Sequence, residues 1–228
     1  MKRFLSCILV VFSLVAFASC VSMVKTRHVG KPITVNIPLR DFNNIDAAGS
    51  LNVYFTQADS FSVRVVAPKE MIDEMNIKVS HSTLIIEPRK DESFISFVGD
   101  GAEMNVYVTA PSLNSTSLAG SGDFIIDAPL KTSQFKASLA GSGDINVKDL
   151  DAQSLDVSLA GSGDVNVNAR QLDKLKASVA GSGDIDLKVT SCNVANLNVA
   201  GSGDITLKGT VKQLNKNVAG SGDINVSK

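Results

Sequence analysis

The pentapeptide AGSGD at Ala119–Asp123 decides the fold, because the chain repeats it five more times. The further copies are Ala140–Asp144, Ala160–Asp164, Ala180–Asp184, Ala200–Asp204 and Ala219–Asp223. From one copy to the next, the first glycine advances by 21, 20, 20, 20 and 19 residues. A nearly fixed period of this length is typical of solenoids, in which each repeat forms one coil and stacks on its neighbours.

Apolar residues alternate with polar ones on both sides of the motif, as in β-strands. The position two residues before the first glycine holds Leu118, Leu139, Leu159, Val179, Val199 and Val218. The position four residues after it holds Phe124, Ile145, Val165, Ile185, Ile205 and Ile224. Each repeat therefore reads as strand, corner, strand. The sequence predicts an all-β fold, a right-handed parallel β-helix with coils of about 20 residues.

A structural role explains the repeated motif without a ligand. Glycine accepts backbone angles that other residues avoid, so we expect both glycines to adopt positive φ at a tight corner. The aspartate is expected to cap backbone N–H groups of its own corner in an Asx-turn. The predicted turn residues are Gly120, Gly122, Asp123, Gly141, Gly143, Asp144, Gly161, Gly163, Asp164, Gly181, Gly183, Asp184, Gly201, Gly203, Asp204, Gly220, Gly222 and Asp223.

The stacked aspartates also leave two chemical alternatives open. Glycine- and aspartate-rich repeats bind calcium in β-rolls, although here no residue separates the second glycine from the aspartate. Neighbouring carboxylates could also act as the acid and base of a glycosidase, but six equivalent positions lack the asymmetry of such a pair. We predict no catalytic residue, no metal ligand and no cofactor.

The N-terminal half, residues 32–111, reads as irregular strands and hairpins, ahead of a regular β-helix over residues 112–228. Ile77 and Val79, a polar corner at Ser80–Ser82, and Leu84–Ile86 predict one hairpin. A degenerate copy of the motif, AGSLNV, occupies Ala48–Val53, so this half could be a diverged relative of the repeats.

The first residues read as an export signal. Lys2 and Arg3 precede an apolar segment, Phe4–Phe17, that is too short to span a bilayer comfortably. Ala16-Phe17-Ala18 suits ordinary signal cleavage, whereas Phe17-Ala18-Ser19-Cys20 resembles a lipobox that makes Cys20 the acylated first residue. We favour the second interpretation: a signal peptide at 1–19, lipidation of Cys20 and a tether at 20–31. It predicts a lipid-anchored protein of the bacterial envelope, in the outer membrane, with its face undecided.

Composition argues against nucleic acid as a partner. The net charge is −1, aromatic residues make up 5% of the chain and Trp is absent. The chain therefore has neither the basic field nor the stacking platforms that hold nucleic acids. With Cys20 acylated and Cys7 removed, Cys192 is a lone thiol, so stability must come from packing.

The stretch LRDFNNIDAAGSLNVYF and the serial SLAGSGDINV turns together resemble the auto-transporter adhesin family with the head GIN domain. The resemblance covers about Ile33 to Val226. It implies a β-helix-like fold in a bacterial envelope and an adhesin role, and it transfers no catalytic or ligand residue. We therefore predict a non-enzymatic binding scaffold with an envelope protein or glycan as partner. The alternatives are a polysaccharide-active β-helix enzyme and a calcium-stabilised β-roll-like module.

The last coil carries a lysine at a core position. Four residues before the motif glycine, the central coils place Ala137, Val157, Ala177 and Leu197, whereas the last coil places Lys216. We expect the Lys216 stem to cover the core and its ammonium to reach water through the open end. Alternatively, the 19-residue final step could mark a register shift that turns Lys216 outward.

Overall fold

The structure, a computed structural model, describes residues 25–89, 95–99 and 102–228. Its strands are β1 (Lys25–His28), β2 (Pro32–Ile37), β3 (Asn44–Gly49), β4 (Asn52–Gln57), β5 (Ser62–Pro68), β6 (Met75–Ser80), β7 (Thr83–Pro88), β8 (Ile95–Val98), β9 (Asn105–Ala110), β10 (Ser115–Gly120), β11 (Phe124–Ile126), β12 (Leu130–Lys131), β13 (Gln134–Gly141), β14 (Ile145–Asp151), β15 (Ser154–Gly161), β16 (Val165–Gly181), β17 (Ile185–Gly201), β18 (Ile205–Gly220) and β19 (Ile224–Ser227). Within those ranges the one helix is α1 (Lys69–Asp73).

The strands wind into a β-solenoid of about six turns, which confirms the predicted fold class. The strands that precede the corner stack in parallel as the first leg of each coil. This leg contains β3, β10, β13, β15 and the C-terminal parts of β16, β17 and β18. The motif glycines pair in register through the stack, as Gly141 does with Gly161 and Gly161 with Gly181. Every repeat therefore turns at the same place.

The strands that follow the corner form the second leg. This leg stacks β4, β11, β14, the N-terminal parts of β16, β17 and β18, and finally β19. From β16 onward the second leg runs through a third side into the next first leg as one long strand of 16 or 17 residues. The third side carries the core contacts of Leu172 with Cys192 and of Cys192 with Val211.

The N-terminal half continues the same stack in an altered chain order. β7 pairs in parallel with β3, and β9 pairs in parallel with β4, so these two later strands lie outside the coil of β3 and β4. β5 then adds antiparallel to β9, and β2 antiparallel to β5. The predicted hairpin is confirmed, since β6 and β7 pair antiparallel. The degenerate AGSLNV motif stacks on the first complete one, with Gly49 opposite Gly120.

The predicted tether, residues 20–31, contains a strand in the part that the structure describes. β1 pairs in parallel with β8, and Arg27 forms an ion pair with Glu74. The predicted signal peptide at 1–19 and Cys20 lie outside the described residues.

A continuous apolar core fills the interior of the solenoid. The alternation of each leg sends one side chain in and the next out, as the burial of every second residue in β13 and β15 shows. The largest fully buried side chains are aromatic, namely Phe55, Phe124 and Phe135, and they lie toward the N-terminal end of the stack. The coils toward the C-terminal end use aliphatic side chains such as Leu175, Leu197 and Leu207.

The 19-residue final step has a local cause. The pairing of β17 with β18 shifts between Lys188 and Ser191, where β18 has one residue fewer. Gly209 lies in this gap with φ of 138°, and a β-carbon there would come within 1.8 Å of the Val189 carbonyl oxygen. Beyond the shift the register is regular again, and Lys216 pairs with Leu197. The alternative in which a register shift turns Lys216 outward is therefore wrong.

Candidate functional site

The first glycine of each motif has a backbone conformation that other residues rarely adopt. Its φ is 146° at Gly120 and between 138° and 142° in the five later copies, and Gly49 of the degenerate motif has φ of 109°. A β-carbon on Gly161 would also approach the Gly141 carbonyl oxygen to 2.1 Å. This position therefore demands glycine both for its φ and for its close approach to the neighbouring coil.

The second glycine differs from its expected conformation. Gly122, Gly143, Gly163 and their equivalents do not have positive φ, so the prediction of positive φ at both glycines is wrong for this position. The reason for glycine here is space, because a β-carbon on Gly163 would lie 1.9 Å from the Gly143 carbonyl oxygen. The backbones of successive coils thus meet directly at this point of the corner.

The aspartates form a ladder between coils, not a set of local caps. In each step the backbone N–H of one aspartate donates to Oδ1 of the aspartate in the preceding coil. The N···O distance is 3.0 Å from Asp164 to Asp144 and 2.7 Å from Asp223 to Asp204. The predicted Asx-turn onto the same corner is therefore wrong: the carboxylate caps a backbone donor, but that donor belongs to the next coil.

The ladder begins at a residue that the sequence analysis did not identify. The Asp123 backbone N–H donates to Oδ1 of Asn52, at 3.1 Å. Asn52 occupies the aspartate position of the degenerate motif, where a carboxamide oxygen serves as acceptor as well as a carboxylate does. Alignment of AGSLN with AGSGD places Asn52 at the aspartate position, so the sequence alone could have identified it.

Some charges on the outward faces of the coils pair with a charge on the neighbouring coil. Lys148 bridges to Asp127 at 2.8 Å, and Arg170 contacts Asp149 through two hydrogen bonds, of 2.8 and 3.0 Å. The Arg170 hydrogen bonds hold the pKa of the Asp149 carboxyl below its usual value. These ion pairs join adjacent coils across the surface of the solenoid.

An aromatic and cationic cluster lies on the second leg near its N-terminal end. The rings of Tyr54 and Tyr107 stack with centroids 5.0 Å apart and planes 15° apart. The Arg64 guanidinium lies 4.0 Å from the Tyr107 ring centroid. Burial is the largest cause of the raised pKa of Tyr54, followed by the charges of Tyr107, Asp123, Glu103 and Asp127. The Tyr54 phenol is therefore a neutral hydrogen-bond donor at physiological pH.

Other candidate residues are not brought into one reactive group. His81 lies in the turn between β6 and β7, where its Nδ1 contacts Ser80 Oγ at 3.0 Å. Cys192 is buried in the core, 1% exposed, and donates to the Val194 carbonyl oxygen. Within residues 25–89, 95–99 and 102–228, no three His, Cys, Asp or Glu side chains are placed to hold a metal ion. The same ranges contain no helix that is long and apolar enough to cross a membrane.

Solved structures with a similar fold include proteins from Bacteroides and Parabacteroides species. A "putative adhesin" from Bacteroides fragilis NCTC 9343 is 24% identical with a TM-score of 0.71, over 88% of this chain and 99% of that one. A "putative lipid binding protein" from Parabacteroides distasonis ATCC 8503 is 24% identical with a TM-score of 0.73, over 90% of this chain and 100% of that one. A "putative adhesin" from the same strain is 20% identical with a TM-score of 0.60, over 88% and 100%. At these identities the likeness establishes the fold alone.

Comparison with curated proteins gives no match. The sequence model of one family matches residues 41–228, which include every AGSGD motif and the degenerate copy at Ala48–Val53. This match confirms the resemblance seen in the repeated turns. The chain belongs to the family described as "Putative auto-transporter adhesin, head GIN domain".

Proposed function

We propose that this protein is a non-enzymatic adhesin of the bacterial cell envelope, which holds a partner on the outward faces of its solenoid. The observation that carries the proposal is the stacking of outward polar side chains in register. On the first leg, for example, Ser138, Ser158 and Ser178 follow one another in successive coils. A ladder of this kind presents one chemical group many times at a spacing of about 4.8 Å. Such repetition suits weak contacts to a repetitive surface, which gain strength from their number.

The family and the fold support the same proposal. An adhesin-head domain suggests a protein that acts outside the cytoplasm, and structures with this fold include adhesins by description. The stacked aspartates are engaged in backbone hydrogen bonds between coils, a structural use that needs neither a substrate nor a calcium ion.

Adhesion is tested with beads that carry the mature protein. Fluorescent beads are applied to bacterial cells, to epithelial cells and to mucin-coated surfaces, and retention is counted after washing. Beads carrying an unrelated β-rich protein are the control. We expect retention above the control on at least one surface. Retention at the control level on all three, or release of reducing sugar from polysaccharide by the protein, would overturn the proposal.

We also propose that a lipid on Cys20 anchors the protein to the outer membrane. The proposal rests on Ala18-Ser19-Cys20 at the end of the apolar segment. Cys20→Ala should move the protein from the membrane fraction to the soluble fraction. Retention of the variant in the membrane, or an unmodified N-terminus at Ser19 in mass spectrometry of the wild type, contradicts the anchor.

A further inference from the structure

One outward column of the second leg changes its chemistry along the solenoid. From the N-terminal end it contains Tyr107, Tyr54, Ile125, Asn146, Asn166, Asp186, Thr206 and Asn225, each paired with the next across coils. The column thus begins with two aromatic rings and an isoleucine and continues with two neighbouring carboxamides. We call the segment from Tyr54 to Asn166 the tyrosine–asparagine column.

The two carboxamides of this column are free to bind a ligand. Neither the Asn146 nor the Asn166 side chain hydrogen-bonds to any described residue, and both lie at the surface. Other stacked asparagines do pair, since Asn215 donates to Asn196 at 2.9 Å and Asn52 donates to Asn105 at 3.1 Å. Each free carboxamide offers two N–H donors and one carbonyl acceptor, the set that can bind vicinal hydroxyl groups in both directions.

A groove of about 340 Å³ runs beside these carboxamides, lined by Ile125, Asp127, Asn146, Lys148, Asn166 and Asn168. Its two charged side chains neutralise one another, because Lys148 bridges to Asp127 at 2.8 Å. A strongly anionic or cationic ligand would therefore find no uncompensated charge of opposite sign among the residues that line this groove.

The aromatic end of the column adjoins the groove at Ile125. Tyr54 lies between Tyr107, on which it stacks, and Ile125, which lines the groove. Arg64 on the far side of Tyr107 completes the stack. Burial and then Tyr107 are the largest causes of the raised pKa of the Tyr54 phenol, and Asp123 and Glu103 add to it, so this end offers a neutral hydroxyl group.

We propose that the tyrosine–asparagine column and its groove bind a neutral polysaccharide chain that lies along the solenoid axis. Its hydroxyl groups would bond to the Asn146 and Asn166 carboxamides, and its apolar C–H faces would pack on Ile125 and Tyr54. The ladder repeats at about 4.8 Å, close to the length of one pyranose ring, so successive sugars can meet successive coils. This inference rests on the proposed adhesin function, because it names the ligand of an adhesive surface.

The binding test uses the mature protein and an array of immobilised oligosaccharides, with dextran and mannan as neutral polymers and dextran sulfate as the anionic match. The test variant is Asn146→Ala with Asn166→Ala, and the control is Gln153→Ala with Gln171→Ala, which removes two exposed carboxamides outside the column and its groove. None of the four side chains is buried, so both variants should melt as the wild type does. We expect binding to a neutral glycan, weakened about tenfold or more in the asparagine variant and unchanged in the glutamine variant.

Binding to no glycan, binding to anionic glycans alone, or equal weakening in both variants would overturn the inference. The bead assay separates this result from a failure of the proposed function. If the asparagine variant still adheres as well as the wild type, the adhesin proposal holds and its partner, a protein or another glycan, binds elsewhere. If wild-type beads adhere to no surface, the adhesin proposal itself fails.

Discussion

The carbonyl oxygen of Gly143 lies 1.9 Å from the point that a β-carbon on Gly163 would occupy. Corresponding contacts of 1.7–2.0 Å recur at the second glycine of every motif. Backbone thus rests on backbone at this corner, and no side chain separates the coils. The coils can stack this closely at the corner only while the second glycine carries a hydrogen in place of a β-carbon.

Gly163→Ala should therefore be strongly destabilising. The added methyl group meets a backbone carbonyl oxygen of the neighbouring coil, which cannot rotate away as a side chain could, so the two coils must separate locally. We expect a loss of about 1–3 kcal/mol or more in the free energy of unfolding, measured by urea denaturation. Ser162→Ala, at the exposed residue beside it, is the control and should change stability by less than about 0.5 kcal/mol. Similar losses in both variants would contradict the close-contact explanation.

The two glycines of the motif show which features of the fold the sequence predicts and which it does not. Their repetition, together with the apolar alternation on both sides, predicts the solenoid, the corner and the period. The sequence does not show why each position needs glycine, since positive φ at Gly161 and backbone contact at Gly163 both require it. The hydrogen bond from each aspartate carboxylate to the next coil was not predicted either, because local turn patterns do not include the neighbouring coil. The chain order of β7 and β9 outside β3 and β4 likewise depends on long-range pairing.

The aspartate ladder predicts that the same substitution affects stability differently at Asp164 and at Asp223, although both occupy the same position of the motif. Asp164 accepts a hydrogen bond from the Asp184 backbone N–H at 3.0 Å, whereas the Asp223 carboxylate accepts none from the described residues. Asp164→Ala should cost about 0.5–1.5 kcal/mol of unfolding free energy, because a donor in the corner loses its acceptor. Asp223→Ala should cost close to nothing. Asp164→Asn keeps an acceptor oxygen and should recover most of the loss in thermal or urea denaturation. Equal losses at Asp164 and Asp223 would show that the ladder bond contributes nothing.

Thr116 is a buried polar residue between apolar residues of an inward column. It is 1% exposed, pairs with Ile45 and Ala137, and its Oγ1 has no hydrogen-bond partner among the described residues. Thr116→Val keeps the shape and removes the unsatisfied hydroxyl, so it should raise the free energy of unfolding by about 1–2 kcal/mol. Thr116→Ala is the matched comparison, which removes the hydroxyl but leaves a cavity, and should not stabilise. A destabilised valine variant would mean that the hydroxyl is satisfied in solution.

The burial of Cys192 on the third side should make the stability of the protein depend on pH. Burial is the main cause of the raised pKa of its thiol, so the folded protein favours the neutral form. The contribution of this group to stability is therefore complete below the ordinary thiol pKa and declines as the pH rises from there toward the raised pKa of the folded state. The melting temperature of the wild type should fall more steeply between about pH 8 and 10 than that of Cys192→Ala. Rapid labelling of the native thiol by a disulfide reagent at pH 8 would contradict its burial.

The open end of the solenoid presents apolar side chains around a single lysine. Leu214 and Val218 occupy inward positions, opposite the buried Ala195 and Val199, yet they are 37% and 44% exposed, since no coil of the described structure stacks on their outer side. Between them, Lys216 lies in register with Leu197, and its Nζ donates to the Ile224 carbonyl oxygen at 2.9 Å. The lysine stem therefore crosses the end of the core, and its charge remains at the surface.

This arrangement should keep the last coil from recruiting another chain. An edge strand with free backbone groups and an apolar surface is a template for further pairing, and an inward-pointing charge opposes that pairing because it would be buried. Lys216→Leu removes the charge and extends the apolar surface formed by Leu214 and Val218. We expect dimers or larger species in light scattering at high protein concentration, with the circular dichroism spectrum of the monomer retained. Lys208→Leu, an outward substitution with the same change in charge, is the control and should remain monomeric. If both variants are as monodisperse as the wild type, Lys216 does not protect the open end. If both associate equally, added surface hydrophobicity accounts for the effect, and the position of Lys216 over the core does not.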